Sequence, residues 1–155
     1  MEACHGIHES IAAVYPDGTR DRRTLCCITR GVERLNDIDY GLWQWKTRAE
    51  VQSQWPDLLQ CWFSAPHLVR FPNGESLQDL AARIADLLRV LGERHDTLVL
   101  VGHSGIRVLL LQALDLPLSA YWRLTHDPAA VTEVELTRDS LRALRINQTP
   151  EEETA

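Results

Sequence analysis

A chain of 155 residues, 45% of them hydrophobic, is long enough for one domain with its own core. Its net charge of -6 argues against a general nucleic-acid or membrane-surface binder. All but one of the 16 basic residues are arginine. Arginine pairs bidentately with phosphate and carboxylate, although a GC-rich coding sequence is the larger cause of that bias. Cys4, Cys26, Cys27 and Cys61 form no C-x-x-C pair and suggest neither a zinc site nor a disulfide framework. Met1–Ser10 lacks the apolar segment of a signal peptide, and no apolar run is long enough to span a bilayer. A reduced, cytoplasmic protein is therefore expected, with no cofactor or metal.

In chain order, Ile11–Tyr15 (IAAVY) reads as a short strand or a helix end, and Pro16-Asp17-Gly18 as a turn. The charge run Arg20–Arg23 precedes the apolar Leu25–Ile28, and Asn36–Trp45 is loop-like. Thr47 and Glu50 have the spacing of a capping box and open a helix that Pro56 stops or kinks. A second helix then starts with Pro56 in its first position, carrying Trp55, Leu59 and Trp62 at helical spacing. Phe71–Glu75 is a turn. Ser76, with Asp79 three residues on, caps the clearest helix, whose apolar face is Leu77, Leu80, Ala81, Ile84, Leu87, Leu88 and Leu91. Gly92 suits its end. Val131–Thr137 alternates apolar and acidic residues as a half-exposed strand does, Arg138-Asp139-Ser140 turns the chain, and Leu141–Ile146 returns as the second strand of a hairpin. Residues 1–148 are expected to form one domain, divergent or truncated over 1–34, with a disordered tail at 149–155.

Thr97–Leu114 is the most informative stretch. The apolar run Leu98–Val101 ends in Gly102-His103-Ser104-Gly105, and a helix is expected from Ile106 to Leu114. A short continuous apolar run reads as a buried parallel strand. Ligands of open α/β sheets bind outside the carboxyl ends of such strands. His103 stands at that end, beside the first unpaired N–H groups of a helix, which suit an anion and typically a phosphate. A histidine that only closes the loop is the alternative.

Three segments occur in order: Leu35–Gly41 (LNDIDYG) with Leu42-Trp43-Gln44-Trp45 after it, Phe71–Ser76 (FPNGES) at a helix start, and Val99–Gly105 (VLVGHSG) before an apolar helix. Together they resemble the histidine phosphatase superfamily, also called phosphoglycerate-mutase-like, over about Leu35 to Leu136. The resemblance implies a three-layer α/β/α fold with a mostly parallel central sheet. That sheet would lack its usual first central strand, and the C-terminal hairpin would be antiparallel. It also implies hydrolysis of a small phosphomonoester through a phosphohistidine. Such catalysis needs no metal and rests on charge complementarity and in-line positioning.

Carried over by residue, His103 matches the second, phosphate-clamping histidine. Ser104 at the next helix start belongs to the same phosphate site. Asp37 stands where an acidic proton donor, usually Glu, is found; a loop-capping carboxylate is the alternative. Glu75 and Ser76 match G-E-S, with Glu75 as a phosphate-site residue or a structural hydrogen-bonder. Arg20 matches the second phosphate-binding arginine, or belongs to a solvated charge run. The R-H-G nucleophile motif has only Cys4-His5-Gly6 as a counterpart, with cysteine in the arginine's place, so His5 is a degraded nucleophile or a chance match. His103 and Arg107 also stand one residue closer than the family pattern. Two functions follow: a phosphatase rather than a mutase, or an impaired pseudo-enzyme that keeps phosphate binding or a protein-interaction role. The expected partners are a small phosphorylated substrate or inorganic phosphate, with no nucleic acid and no membrane. Trp43, Trp45, Trp55 and Trp62 line a pocket or pack in the core.

Overall fold

A computed structural model describes residues 11–15, 30–31, 33–93, 97–100, 103–127 and 130–149. Strands β1 (Ile11–Tyr15), β2 (Arg30–Gly31) and β3 (Thr97–Leu100) form a sheet in the order β2-β1-β3. Ala12 pairs with both Arg30 and Leu100, and both strand pairs are antiparallel. The described strands thus differ from the mostly parallel sheet expected from the sequence. A continuous apolar run reports that both faces of a strand are covered; it carries no information on the direction of its neighbours.

The helices begin where their caps place them. In front of α1 (Arg48–Gln54), the Thr47 N–H donates to Glu50 at 2.7 Å, and the Glu50 N–H donates back to the Thr47 hydroxyl at 3.3 Å. Pro56 opens α2 (Pro56–Ser64), which buries Leu59 and Trp62. Trp55, between the two helices, stays half-buried. α3 (Leu77–Leu91) buries Leu77, Leu80, Ile84, Leu87 and Leu88 along one stripe. Its Ser76 N–H donates to Asp79 at 2.8 Å, and the Asp79 N–H donates to the Ser76 hydroxyl at 3.3 Å. These bonds from Ser76 hold the Asp79 carboxyl below the usual range. Ser76→Ala removes the cap from a buried helix start and is expected to cost about 1 kcal/mol. Urea unfolding checks this, and an unchanged midpoint would contradict it. Gly92 caps α3 with an ordinary negative φ of -63°, so left-handed backbone is not its role. A Cβ there would stand 3.2 Å from the carbonyl oxygen of Thr137, so the glycine lets the hairpin approach the helix end.

α4 (Ser104–Ala113) starts two residues before the helix expected at Ile106. Ser104 and Gly105 are weak helix formers, but the first turn tolerates them. Gly105 also faces Ile84 of α3, where a Cβ would sit 3.4 Å from that side chain. The Gln112 amide donates to the Ala81 carbonyl at 3.0 Å and ties the same two helices together. Against α2, Trp62 packs on Phe71 and Tyr121 at centroid distances of 4.9 and 5.5 Å, and Trp43 packs on Phe71 at 5.0 Å. Trp45 stands in solvent. The tryptophans therefore split between the aromatic core and the surface and do not share a pocket wall. β4 (Val131–Leu136) and β5 (Leu141–Gln148) form the expected antiparallel hairpin, with register shifts near Glu133.

Candidate active site

The site begins with the segment 33–40, a single 3-10 turn (Glu33–Leu35) followed by irregular chain. Leu35 and Ile38 are both buried, each 2% exposed, and they anchor the segment on either side of Asp37. Asp37 faces outward. Its carboxylate Oδ1 accepts the Ser104 N–H at 3.0 Å, across 67 residues of sequence. That N–H is the first of α4, where unpaired amides and the helix dipole favour a negative charge.

His103 precedes the helix, with an exposed ring and no capping bond of its own. Its Nδ1 lies 3.5 Å from the hydroxyl of Ser104, which is fully buried. The carbonyl of His103 accepts the Arg107 N–H at 3.3 Å and so closes the first turn of α4. The structure thus brings together three residues that the sequence singles out: Asp37, His103 and Ser104.

Three further groups surround them. Arg107, 8% exposed, stacks its guanidinium 4.8 Å from the Tyr121 ring centre and 5.1 Å from that of Trp122. Among the described residues its Nε and Nη1 are buried without a hydrogen-bond partner. Aromatic faces stabilise a cation in this position. Burial raises the Tyr121 hydroxyl pKa, against the opposing pull of nearby Ser104 and Arg107. His126 is the third group. Burial lowers its pKa, and the charges of Arg107 and His103 lower it further, while Asp127 opposes them. The next residue, Asp127, is clasped to Asn147 of β5: its N–H donates to the Asn147 side-chain oxygen, and the Asn147 amide donates to its carboxylate, both at 2.8 Å.

Sequence reasoning missed His126, because only the fold carries residue 126 to the start of α4. Arg107 was visible only as a spacing marker. A buried arginine cannot be recognised from a helix whose expected start lies one residue before it.

The lowered His126 pKa has a definite sign for stability. The folded protein binds this proton less tightly than the unfolded chain does. Stability therefore falls as the pH drops from the ordinary histidine value of 6.5 toward the lower folded value. His126→Gln is expected to flatten that fall. Urea midpoints at about pH 7.5 and 5.5 check it, and equal pH slopes in the two proteins would contradict it.

Glu75 is committed elsewhere. Its two carboxylate oxygens accept the Arg83 Nε and Nη2 at 2.8 and 2.7 Å, and one of them also accepts the Asp39 N–H at 3.0 Å. Arg20 and His5 lie outside the described residues.

A sequence profile of the histidine phosphatase superfamily (branch 1) matches residues 20–149. The chain belongs to this superfamily. Phosphoserine phosphatase 1 of Hydrogenobacter thermophilus is 29% identical over 120 residues, covering 76% of this chain and 57% of that protein. The bifunctional protein Rv2228c of Mycobacterium tuberculosis is 31% identical over 148 residues, covering 92% of this chain and 40% of its own length. Among solved structures, Bacillus stearothermophilus YhfR superposes with a TM-score of 0.72 at 25% identity, over 77% of this chain and 61% of that one. The mycobacterial glucosyl-3-phosphoglycerate phosphatase Rv2419c, solved with inorganic phosphate, gives 0.64 at 26% identity over 76% and 64%. The chain thus spans about half the length of the curated relatives it matches. The profile match begins after His5, so superfamily membership rests on the part of the chain that holds Asp37, His103 and Arg107.

Proposed function

We propose that this protein is a phosphomonoester hydrolase in which His103, Ser104 and the start of α4 hold the phosphoryl group and Asp37 protonates the leaving oxygen. One observation carries the reading: the Asp37 carboxylate rests on the Ser104 N–H beside His103. A side chain of the loop thus reaches the seat that helix physics assigns to an anion. A phosphate oxygen arriving there takes the Ser104 N–H in place of the carboxylate. Arg107 adds positive charge and the His103 ring a hydrogen-bonding nitrogen around the transferring group, as a loose phosphoryl-transfer transition state requires.

In the superfamily's chemistry a histidine nitrogen bonds to phosphorus as the ester P–O bond breaks. The leaving oxygen takes its proton from the acid, and water then cleaves the P–N bond. His5 is this chain's candidate for the attacking ring. Relatives named as phosphatases of phosphoserine and of glucosyl-3-phosphoglycerate support a small phosphorylated substrate.

The test separates acid catalysis from binding. Asp37→Asn is expected to slow hydrolysis of an alkyl phosphate by about 10²–10⁴-fold. The loss on p-nitrophenyl phosphate should be much smaller, because that leaving group departs without a proton. Equal losses on both substrates would overturn the acid role.

A second reading has its own observation. Cysteine stands at position 4, where the superfamily's nucleophile motif has arginine. In that case the protein binds phosphate or vanadate without turnover and acts as a binding or interaction module. A phosphohistidine detected at His5 by mass spectrometry would exclude it.

A further inference from the structure

The segment that carries Asp37 has few bonds of its own to hold it. Among the described residues it has neither a strand partner nor a regular helix. Beside the buried Leu35 and Ile38 and the bond from the Glu75 N–H to the Asp39 carbonyl, one guanidinium on α3 grips it. Arg83 Nη1 donates to the carbonyl oxygens of Arg34 at 2.8 Å and Asn36 at 3.1 Å, and Nη2 reaches that of Asp37 at 3.4 Å. The other edge of the same guanidinium makes the two-pronged pair with Glu75. Glu75 in turn accepts the N–H of Asp39. The Arg83–Glu75 pair therefore holds the backbone on both sides of Asp37, at residues 34, 36 and 37 through Arg83 and at residue 39 through Glu75. Both side chains are three-quarters buried, with relative exposures of 24%.

We infer that Arg83, locked by Glu75, is the positioning residue that sets where the Asp37 carboxylate stands relative to Ser104 and the leaving oxygen. Only a planar guanidinium can serve three carbonyls and a carboxylate at once; a lysine ammonium has three donors around a point and cannot span the same fork. Loop position matters because a displacement of about 1 Å can cost on the order of 100-fold in rate. The inference rests on the reading of Asp37 as the leaving-group acid.

Arg83→Lys tests it in the full chain, with Glu75→Gln as a second variant that keeps the guanidinium and weakens its lock. Two readouts are taken per folded molecule. The first is hydrogen exchange of the Ser104 amide, which donates to Asp37 and needs no turnover. The second is the split between kcat and KM on an alkyl phosphate. The expected result for Arg83→Lys is faster Ser104 exchange, approaching that of Asp37→Ala, with kcat down by about tenfold or more and KM within about twofold. Glu75→Gln should fall between Arg83→Lys and wild type in both. Unchanged Ser104 exchange in both variants, even with a lowered melting temperature, would overturn the inference and leave the pair a structural brace. If wild type shows no turnover on any phosphomonoester, the hydrolase reading fails. The exchange readout then still decides whether Arg83 positions Asp37.

Discussion

Replacing His103 by alanine is expected to lower phosphate release by about 10²–10³-fold, the usual cost of removing one preorganised donor from a transition-state site. The ring is exposed at the mouth of the site and makes no capping bond to α4. The fold therefore has little to lose when it is removed. The melting temperature should stay within a few degrees of wild type while hydrolysis collapses. His103→Gln restores a donor of similar reach without the imidazole, and it is expected to recover phosphate binding better than turnover. Assays of phosphate release beside thermal melts check both variants. Equal rates in wild type and His103→Ala would remove His103 from the chemistry.

Gly41→Ala is expected to be among the most damaging substitutions to stability outside the hydrophobic core. Gly41 has a φ of +53°, which costs an alanine roughly 1 kcal/mol. The larger cost is steric. A Cβ at residue 41 would stand 2.1 Å from the carbonyl oxygen of Pro72 and 2.7 Å from the nitrogen of Gly74. Both are backbone atoms, so a rotamer change cannot relieve the overlap. Gly74 is the matching half, since its own Cβ would lie 2.4 Å from the carbonyl oxygen of Asp39. Two backbones meet here without side chains between them. They are joined by Leu42 N–H to Pro72 at 2.8 Å and Glu75 N–H to Asp39 at 2.9 Å. Separating them would cost both bonds and release the C-terminal end of the Asp37 segment. A loss of about 3–5 kcal/mol is expected, or roughly 10 °C in melting temperature. A Gly41→Ala protein that melts within a degree of wild type would contradict this contact.

These two glycines show how much of the molecule is legible in the sequence. Tyr40-Gly41 and Asn73-Gly74 read there as loop and turn signals, yet the reason for them is that the two loops touch. That is a non-local fact. Features decided within four residues were readable: the Thr47 and Ser76 capping boxes, the proline start of α2 and the apolar stripe of α3. The hairpin of β4 and β5 was readable from its alternation and turn. The direction of the strands beside β3 was not, because hydrophobicity reports burial rather than polarity of pairing. The start of α4 was misplaced by two residues because Ser104-Gly105 looks like loop until Ile84 is known to lie against it.

The site divides in the same way. His103 and Ser104 are adjacent in sequence, and a strand end followed by a helix start is a local pattern. Asp37 came only through the family motif. Its contact with Ser104 depends on a segment held by Arg83, a residue that in sequence is one more polar position on the outer face of an amphipathic helix. His126 and the stacked Arg107 depend on three separated elements converging, and no spacing rule reaches that far.

Titration of the 15N-labelled protein with orthovanadate, a mimic of the phosphoryl-transfer transition state, tests the central claim most directly. The account predicts saturable shifts of the Ser104 amide and the His103 ring, with the Ser104 shift lost in His103→Ala. A folded protein whose Ser104 and His103 resonances stay fixed at saturating vanadate would contradict it.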